Sequence, residues 1–459
     1  MSPSAQSNTT YVEGTDLQSV IFNPLKVLNM DFELPQSSID NLWADPETYQ
    51  PATLTYTKPD GSRVGPFNIT FRLKGGWGSW RDLNAKAAFK IKIPSAARSN
   101  IYGLKKLTLN NMVQDPSFLH EALAYRLFRN VGIAAPRVGY SWVTLNGTTY
   151  GLYANVETPD DLMLGRWFQS TQHLYEGAYW ADLWPGYESY FEVDEGDEDD
   201  RSDLTNLINV NQLEGEAWFN AIQEVADLNQ FVTMWAVETF IGHWDGYSYV
   251  IKNNYYLHSD DNGKFSMLPW GTDQTWDAYL PYHDTNDRAL MFYRCISYLP
   301  CRGLYDQAIA RVVSSAKSLR LTTMLDRIKL VVNPHVNLDP RKEVSSVDSV
   351  YWQGSARTFI SNRTKETEAL VKTFRTAAPK LKGGNRGSQV SLSWNAVSNP
   401  IYSTLRYEIE AVSTTGIQVF TTTNTSITIA RPVGAVKYRV RAITYYGNSP
   451  WSNSLSLKR

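Results

Sequence analysis

The sequence predicts an α+β chain, on three observations. Short alternating apolar runs broken by Gly-rich and Asn-Gly turns fill the first third, helix-length runs dominate the middle, and short alternating strands return near the end. A chain of 459 residues holds about two or three domains. They read as a lead-in over 1–27, a large domain over 28–374 (β-rich over about 28–158, helix-rich over about 159–374), a Pro/Gly/Lys linker over 375–386 and a small all-β domain over 387–459.

The elements follow in order. Ala52 to Tyr56, the Asp60-Gly61 turn and Phe67 to Leu73 predict antiparallel strands. The turn Lys74-Gly75-Gly76-Trp77-Gly78 then leads to the alternating strand Ala88 to Ile93. Glycine-rich turns between strands let backbone N–H groups approach a phosphate. Lys86 enters that strand where a phosphate-pairing lysine is expected, with Lys74, Lys90 and Lys92 as rivals. Asp115-Pro116 opens a helix to about Val131, with Asp as N-cap and Leu119, Leu123 and Leu127 as its core stripe. Glu121 is its only acidic residue, either the partner of that lysine or a solvated glutamate near a helix start. Strands Tyr140 to Leu145 and Tyr150 to Val156 flank an Asn146-Gly147 turn and pass into a polar connector where Glu157 is the residue to flag.

In the helix-rich part, Asp194 to Asp203 is an acidic run that reads as a solvated loop; a Ca²⁺ site or a docking surface for a basic substrate is the alternative. Helical patterns from Ala217 to Phe240 deliver the chain to Asp245. Tyr255 to His258 and Lys264 to Leu268 then form a β-hairpin around Asp260-Asp261-Asn262-Gly263. Antiparallel pairing puts Asn254 and Asp273 at the same end of that hairpin, with Asp245 on an Asp-Gly turn just upstream. Two aspartates and an asparagine offer the hard oxygen ligands that Mg²⁺ prefers. The order Asp, Asn, hairpin, Asp is also how protein kinases assemble a catalytic base and metal ligands, although the spacings here are longer.

The balance of 44 basic and 46 acidic residues gives no field that would draw nucleic acid or anionic lipid. No stretch reaches the ~20 apolar residues of a membrane-spanning helix. The polar N-terminus does not read as a secretory signal, which leaves a cytoplasmic protein or one incorporated into a particle. The close spacing of Cys295 and Cys301 permits a local bridge, with reduced cysteines the expected state in a cytoplasmic protein. The 15 Trp and 27 Tyr read as large β-rich cores, with a sugar-binding platform as the alternative.

Several segments resemble the CotH kinase family: LNMDFELP, the Lys-Gly-Gly turn with its following lysine, DPSFLHEALAYRLFRNVGIAAPR, NGTTYGLYANVE, LYEG, WDGYSYVIKNNYYL, MLPWGTDQTW and FISNR, over about 25–375. The resemblance implies an atypical two-lobed kinase-like fold that moves phosphate from ATP, with Mg²⁺ or Mn²⁺, to Ser/Thr-rich proteins such as spore-coat components; some fungal members are surface adhesins. It implies Asp245 as catalytic aspartate, Asn254 as a metal ligand, Asp273 as a second one if the last aspartate of the motif suffices, and Lys86 as the phosphate-contacting lysine; the kinase-like order of elements adds Glu121 as its partner, with Lys74 and Glu157 along the nucleotide. Many members have W-D-x-D where this chain has Trp270-Gly271-Thr272-Asp273. An active kinase and an inactive scaffold of a spore or phage particle are therefore both expected readings. Residues 387–459 resemble a fibronectin type III domain, through Trp394, Tyr438 and the closing Gly447 to Ser452 stretch, which implies a binding module for a surface or particle partner.

Overall fold

The computed structural model describes residues 13–58, 60–278, 288–431, 434 and 436–457. Residues 1–12 of the expected lead-in lie outside that range. From Glu13 onward the lead-in is tied down, by Glu13 to Arg126 and Arg129 and by Asp16 to Arg137. The protein is α+β, and the chain divides into two compact units: Met1–Phe292 with Ser314–Thr364, and Tyr293–Val313 with Lys365–Arg459.

The first unit begins with β1 (Val27–Glu33), α1 (Gln36–Ala44), β2 (Gln50–Thr57), β3 (Arg63–Lys74), β4 (Ala88–Lys92), α2 (Ser95–Arg98), β5 (Lys106–Asn110), α3 (His120–Asn130), β6 (Val138–Leu145) and β7 (Thr148–Val156). The seven strands close a barrel in the order β1-β2-β3-β4-β5-β7-β6, sealed by parallel pairing of β1 with β6. Successive side chains of a strand face opposite sides. Ile69, Phe71 and Leu73 of β3 therefore point inward with Phe89 and Ile91 of β4, and Phe71 and Phe89 rings meet at 4.7 Å. By the same alternation Lys74, the last residue of β3, faces outward.

α3 starts at His120, five residues after the expected cap. Asp115 nevertheless organises the approach, accepting from the backbone N–H groups of Ser117, Phe118 and His120. Leu119, Leu123 and Leu127 are buried as expected.

Next come α4 (Asp161–Leu164), β8 (His173–Gly177), β9 (Phe191–Glu195), α5 (Ser202–Val210), α6 (Gly215–Val225), α7 (Leu228–Ile241), β10 (Tyr255–Ser259) and β11 (Phe265–Pro269). The expected hairpin is β10–β11, paired Tyr255 to Pro269 through Ser259 to Phe265, in a four-stranded sheet ordered β11-β10-β8-β9. The Gln230 side chain of α7 both donates to the Met267 carbonyl and accepts from its N–H, occupying the open edge of β11. The acidic run is not wholly solvated. Asp203 is buried and accepts from Tyr175 and Ser259, with His173 Nδ1 at 2.9 Å.

The helices α8 (Leu290–Ser297), α9 (Leu299–Leu319), α10 (Leu321–Leu338) and α11 (Ser346–Phe374) follow. Among the described residues no helix is long and apolar enough to cross a membrane.

In the second unit, Cys295 and Cys301 form a disulfide, not the expected reduced pair; the six-residue separation brings their Cα atoms to 5.0 Å, ordinary bridging distance. The segment expected as a linker ends in a strand, because Leu381 to Arg386 finds partners in the residues just beyond it. This strand, β12 (Leu381–Arg386), pairs with β13 (Gln389–Trp394), which pairs with β16 (Ser426–Ala430). A second sheet holds β14 (Arg406–Ser413), β15 (Gly416–Thr422), β17 (Val436–Thr444), β18 (Gly447–Asn448) and β19 (Leu455–Leu457). Both sheets contribute to one core, with Trp394 and Tyr438 inside it.

One contact bears on the lysine expected to meet phosphate. Lys86 is buried, and its ammonium group is paired with the equally buried Asp339, which also accepts from Leu152 and Arg341 N–H groups. Lys86 holds the barrel to the loop after α10. Asp339→Ala should lower stability by about 3–5 kcal/mol in urea denaturation, since it strands a buried ammonium group; a loss below about 1 kcal/mol would contradict this placement.

Candidate active site

Four elements meet where β3 and β5 end, α3 begins and the β10–β11 sheet opens. Lys74 donates to the Asn110 side-chain oxygen at 2.5 Å. The Asn110 amide in turn donates to both carboxylate oxygens of Glu121, at 2.9 and 3.0 Å. Glu121 is 4 % exposed, so the solvated reading does not hold. Its lysine is Lys74 and not Lys86, and the two are joined through Asn110. The Lys74 ammonium group also lies 5.8 Å from the Trp270 ring centre. Burial pushes Lys74 down and Glu121 up, each toward its neutral form.

Asp273 completes this side. His120, the first residue of α3, places its Nδ1 at 2.7 Å from the Asp273 carbonyl, and the Trp276 indole donates to the His120 carbonyl. The turn after β11 is thereby fastened to the start of α3. Burial raises the Asp273 carboxyl to about 6, and its charge is felt by Lys74, Glu121 and Asp245.

Asp245 lies on the loop after α7. The Asn254 side-chain amide donates to its carboxylate at 2.7 Å and to its backbone carbonyl at 3.1 Å, and Asn253 approaches at 3.4 Å. Burial raises Asp245 to about 7, with the Asp273 charge adding to the shift. Asp245, Asn254 and Asp273 thus share one end of the hairpin. Gly271 lies against them: its φ is +45°, and an added Cβ would collide with the Asn254 side-chain amide. Glycine at this position makes room for Asn254.

Glu157 stands elsewhere. Its buried carboxylate is clamped by Arg137 (2.7 Å) and Arg166 (2.6 Å), so its side chain belongs to an ion-pair cluster. A cavity of about 270 Å³ opens beside Lys86, bordered by Asn111, Phe118 and Lys342, but none of the clustered site residues lines it. Among the described residues no group of three or more His, Cys, Asp or Glu side chains could hold a metal ion. Asn110, Trp270 and the half-buried Glu176, whose charge also reaches Lys74, escaped sequence reading. The outward parity of Lys74 and Asn110 at strand ends was the available signal.

Two predictions follow from this geometry. Gly271→Asp should cost about 1–3 kcal/mol of stability rather than restore a ligand; thermal unfolding checks it, and an unchanged midpoint would contradict the close approach. Asp245→Asn should stabilise the protein at pH 8 by about 1–3 kcal/mol in metal-free buffer. Between the ordinary value of 3.8 and the folded value of about 7, the fold holds a proton that the unfolded chain has released. Stability from this group therefore falls as pH rises through that window, and the variant should lose that slope in urea titrations from pH 4 to 8.

Comparison with known proteins bears on the whole region. The family model described as CotH kinase protein matches residues 71–365. Inner spore coat protein H of Bacillus subtilis (strain 168) is 25 % identical over 195 residues, 38 % of this chain and 51 % of that protein. The inner spore coat protein H-like protein of the same organism is 35 % identical over 77 residues, 17 % of this chain and 24 % of that protein. The chain spans about half or less of the length of these curated relatives. Among solved structures, the 6th fibronectin type III domain from human fibronectin type III domain containing protein 3 is 16 % identical, with 18 % of this chain and 80 % of that one covered, at a TM-score of 0.16. That likeness is too slight to bear on the fold. The match over 71–365, which contains every residue of the cluster described above, shows that the chain belongs to the CotH kinase protein family.

Proposed function

We propose that the chain is a protein kinase that moves the γ-phosphoryl group of ATP to a Ser or Thr hydroxyl of a protein substrate. The observation that carries this reading is the meeting of Lys74, Asn110 and Glu121 with Asp245, Asn254 and Asp273. Phosphoryl transfer is catalysed mainly by positioning and charge neutralisation. Lys74, lowered by burial to about 8, still carries its charge at neutral pH and would pair with a polyphosphate, and Glu121 holds it in place through Asn110. Asp245 accepts the hydroxyl proton as the substrate oxygen bonds to the γ-phosphorus and the bond to the ADP oxygen breaks. A carboxyl titrating near 7 suits that role at neutral pH.

The donor set fits Mg²⁺ or Mn²⁺. Asp273 and Asn254 offer two oxygens, and magnesium is held by few protein ligands together with phosphate oxygens. When bound, the metal neutralises charge on the transferring phosphates.

Similarity to spore coat proteins supports incorporation into a spore coat or comparable particle, with a Ser/Thr-rich coat protein as substrate. Residues 387–459 are assigned as a fibronectin type III-like module contacting a surface or particle partner; their two-sheet core around Trp394 and Tyr438 supports it. The second reading, an inactive scaffold, draws on Gly271, which stands where the W-D-x-D pattern has its first aspartate.

The full chain is incubated with labelled ATP, Mg²⁺ and a Ser/Thr-rich acceptor. Wild type should incorporate label. Asp245→Ala, Asp273→Ala and Lys74→Ala should each lose about 100-fold or more. The kcat/KM should rise with pH through about 7, because the base must be deprotonated. No nucleotide binding at millimolar ATP would end the kinase reading in favour of the scaffold.

A further inference from the structure

α7 carries a buried acid that the proposed chemistry does not use. Glu238 is fully buried in the last turns of that helix, where a negative charge meets the unfavourable end of the helix dipole. Burial raises its carboxyl to about 7. Such a group is costly unless its hydrogen bonds are met. Glu238 receives three, all from the stretch just after Asp245. The Tyr247 and Ser248 N–H groups donate at 3.0 Å each, and the Ser248 hydroxyl donates at 2.6 Å.

His243 lies beside it. α7 ends at Gly242, in the left-handed conformation with φ +70°, and the chain reverses so that the His243 N–H bonds the Glu238 carbonyl. The His243 ring is fully buried, with Nε2 at 3.2 Å from the Gly271 carbonyl and Nδ1 at 4.0 Å from the Glu238 carboxylate. Since a carbonyl only accepts, Nε2 carries the proton. Gly246 fits between the two side chains: an added Cβ would lie 2.6 Å from Glu238 Oε1 and 2.8 Å from His243 Nδ1.

We propose that Glu238 and His243 form a positioning latch, Glu238 fixing the 245–248 loop and His243 fixing the Gly271 turn, so that Asp245 and Asp273 are set relative to one frame, the end of α7. The inference deepens the kinase reading and rests on it for its functional consequence. Neither residue touches a reacting atom; each acts through a neighbour. A purely packing role would not need a charged group, since buried ionic groups are commonly replaced by apolar ones without loss of stability.

The test uses the full chain. Glu238→Gln keeps the shape but places an NH₂ group against one of the N–H donors. Hydrogen exchange of peptides spanning 243–254 should quicken about 10-fold or more, with β10 and α3 unchanged. The kcat per folded molecule should drop about 10- to 100-fold while KM for ATP stays within about 3-fold. In an Asp245→Ala background the change should add no further loss. Ser248→Ala, which deletes one bond only, should fold and shift exchange in the same direction by a smaller factor, and it decides the matter if Glu238→Gln fails to fold. Unchanged exchange over 243–254 in the variant that folds would overturn the latch, as would a loss spread equally over kcat and KM. If wild type transfers no phosphate, the kinase reading falls, and the exchange result alone then decides whether the latch exists.

Discussion

The site depends on the hold that Asn254 has on Asp245. One side-chain amide donates to both the carboxylate and the backbone carbonyl of the aspartate, so rotamer and loop are fixed together. That hold requires the space left by Gly271, the hairpin register that sets Asn254 at the mouth of β10, and the reversal of the chain after α7. Trp270 donates its N–H to the Asn254 carbonyl, extending the pairing one step past the named strands. The barrel then contributes only what its outward parity allows at the strand ends, namely Lys74 and Asn110.

Several carboxyls near neutrality in one place are a cost to the fold and a resource for chemistry. Glu121, Asp245, Glu238 and Asp273 are all raised, each first by burial. An apolar core in their place would be more stable. Such a gathering of raised carboxyls beside a lysine marks a candidate functional site. Glycines at 246 and 271 serve the same end, since each lets a backbone approach a polar side chain too closely for any other residue.

The hairpin was legible because Asn-Gly turns and alternating arms are local signals, and pairing alone then places Asn254 near Asp273. Asp245 was legible from its Asp-Gly turn and family motif. The lysine was not. Lys74 and Lys86 flank one glycine-rich turn, and the choice between them depends on barrel closure and on Asp339, 253 residues further on. The ion pairs of Glu157 were not legible for a similar reason: its partners Arg137 and Arg166 come from separate segments, and neither lies at a helical or strand spacing that would betray the pair. The disulfide ran against a compartment argument, which composition supports only weakly. Glu238 looked like one more residue in an apolar helix, and only the folded loop reveals its three donors.

The central claim is that Lys74, not Lys86, faces the phosphates. An acyl-phosphate derivative of ATP tests it directly, because a lysine amine beside the nucleotide phosphates attacks the acyl carbon and releases ATP, leaving a stable amide to be mapped by peptide mass spectrometry. Lys74, its amine favoured by burial, should be the labelled residue, and excess ATP with Mg²⁺ should protect it. Labelling of Lys86, or labelling of Lys74 that ATP does not suppress, would contradict the account.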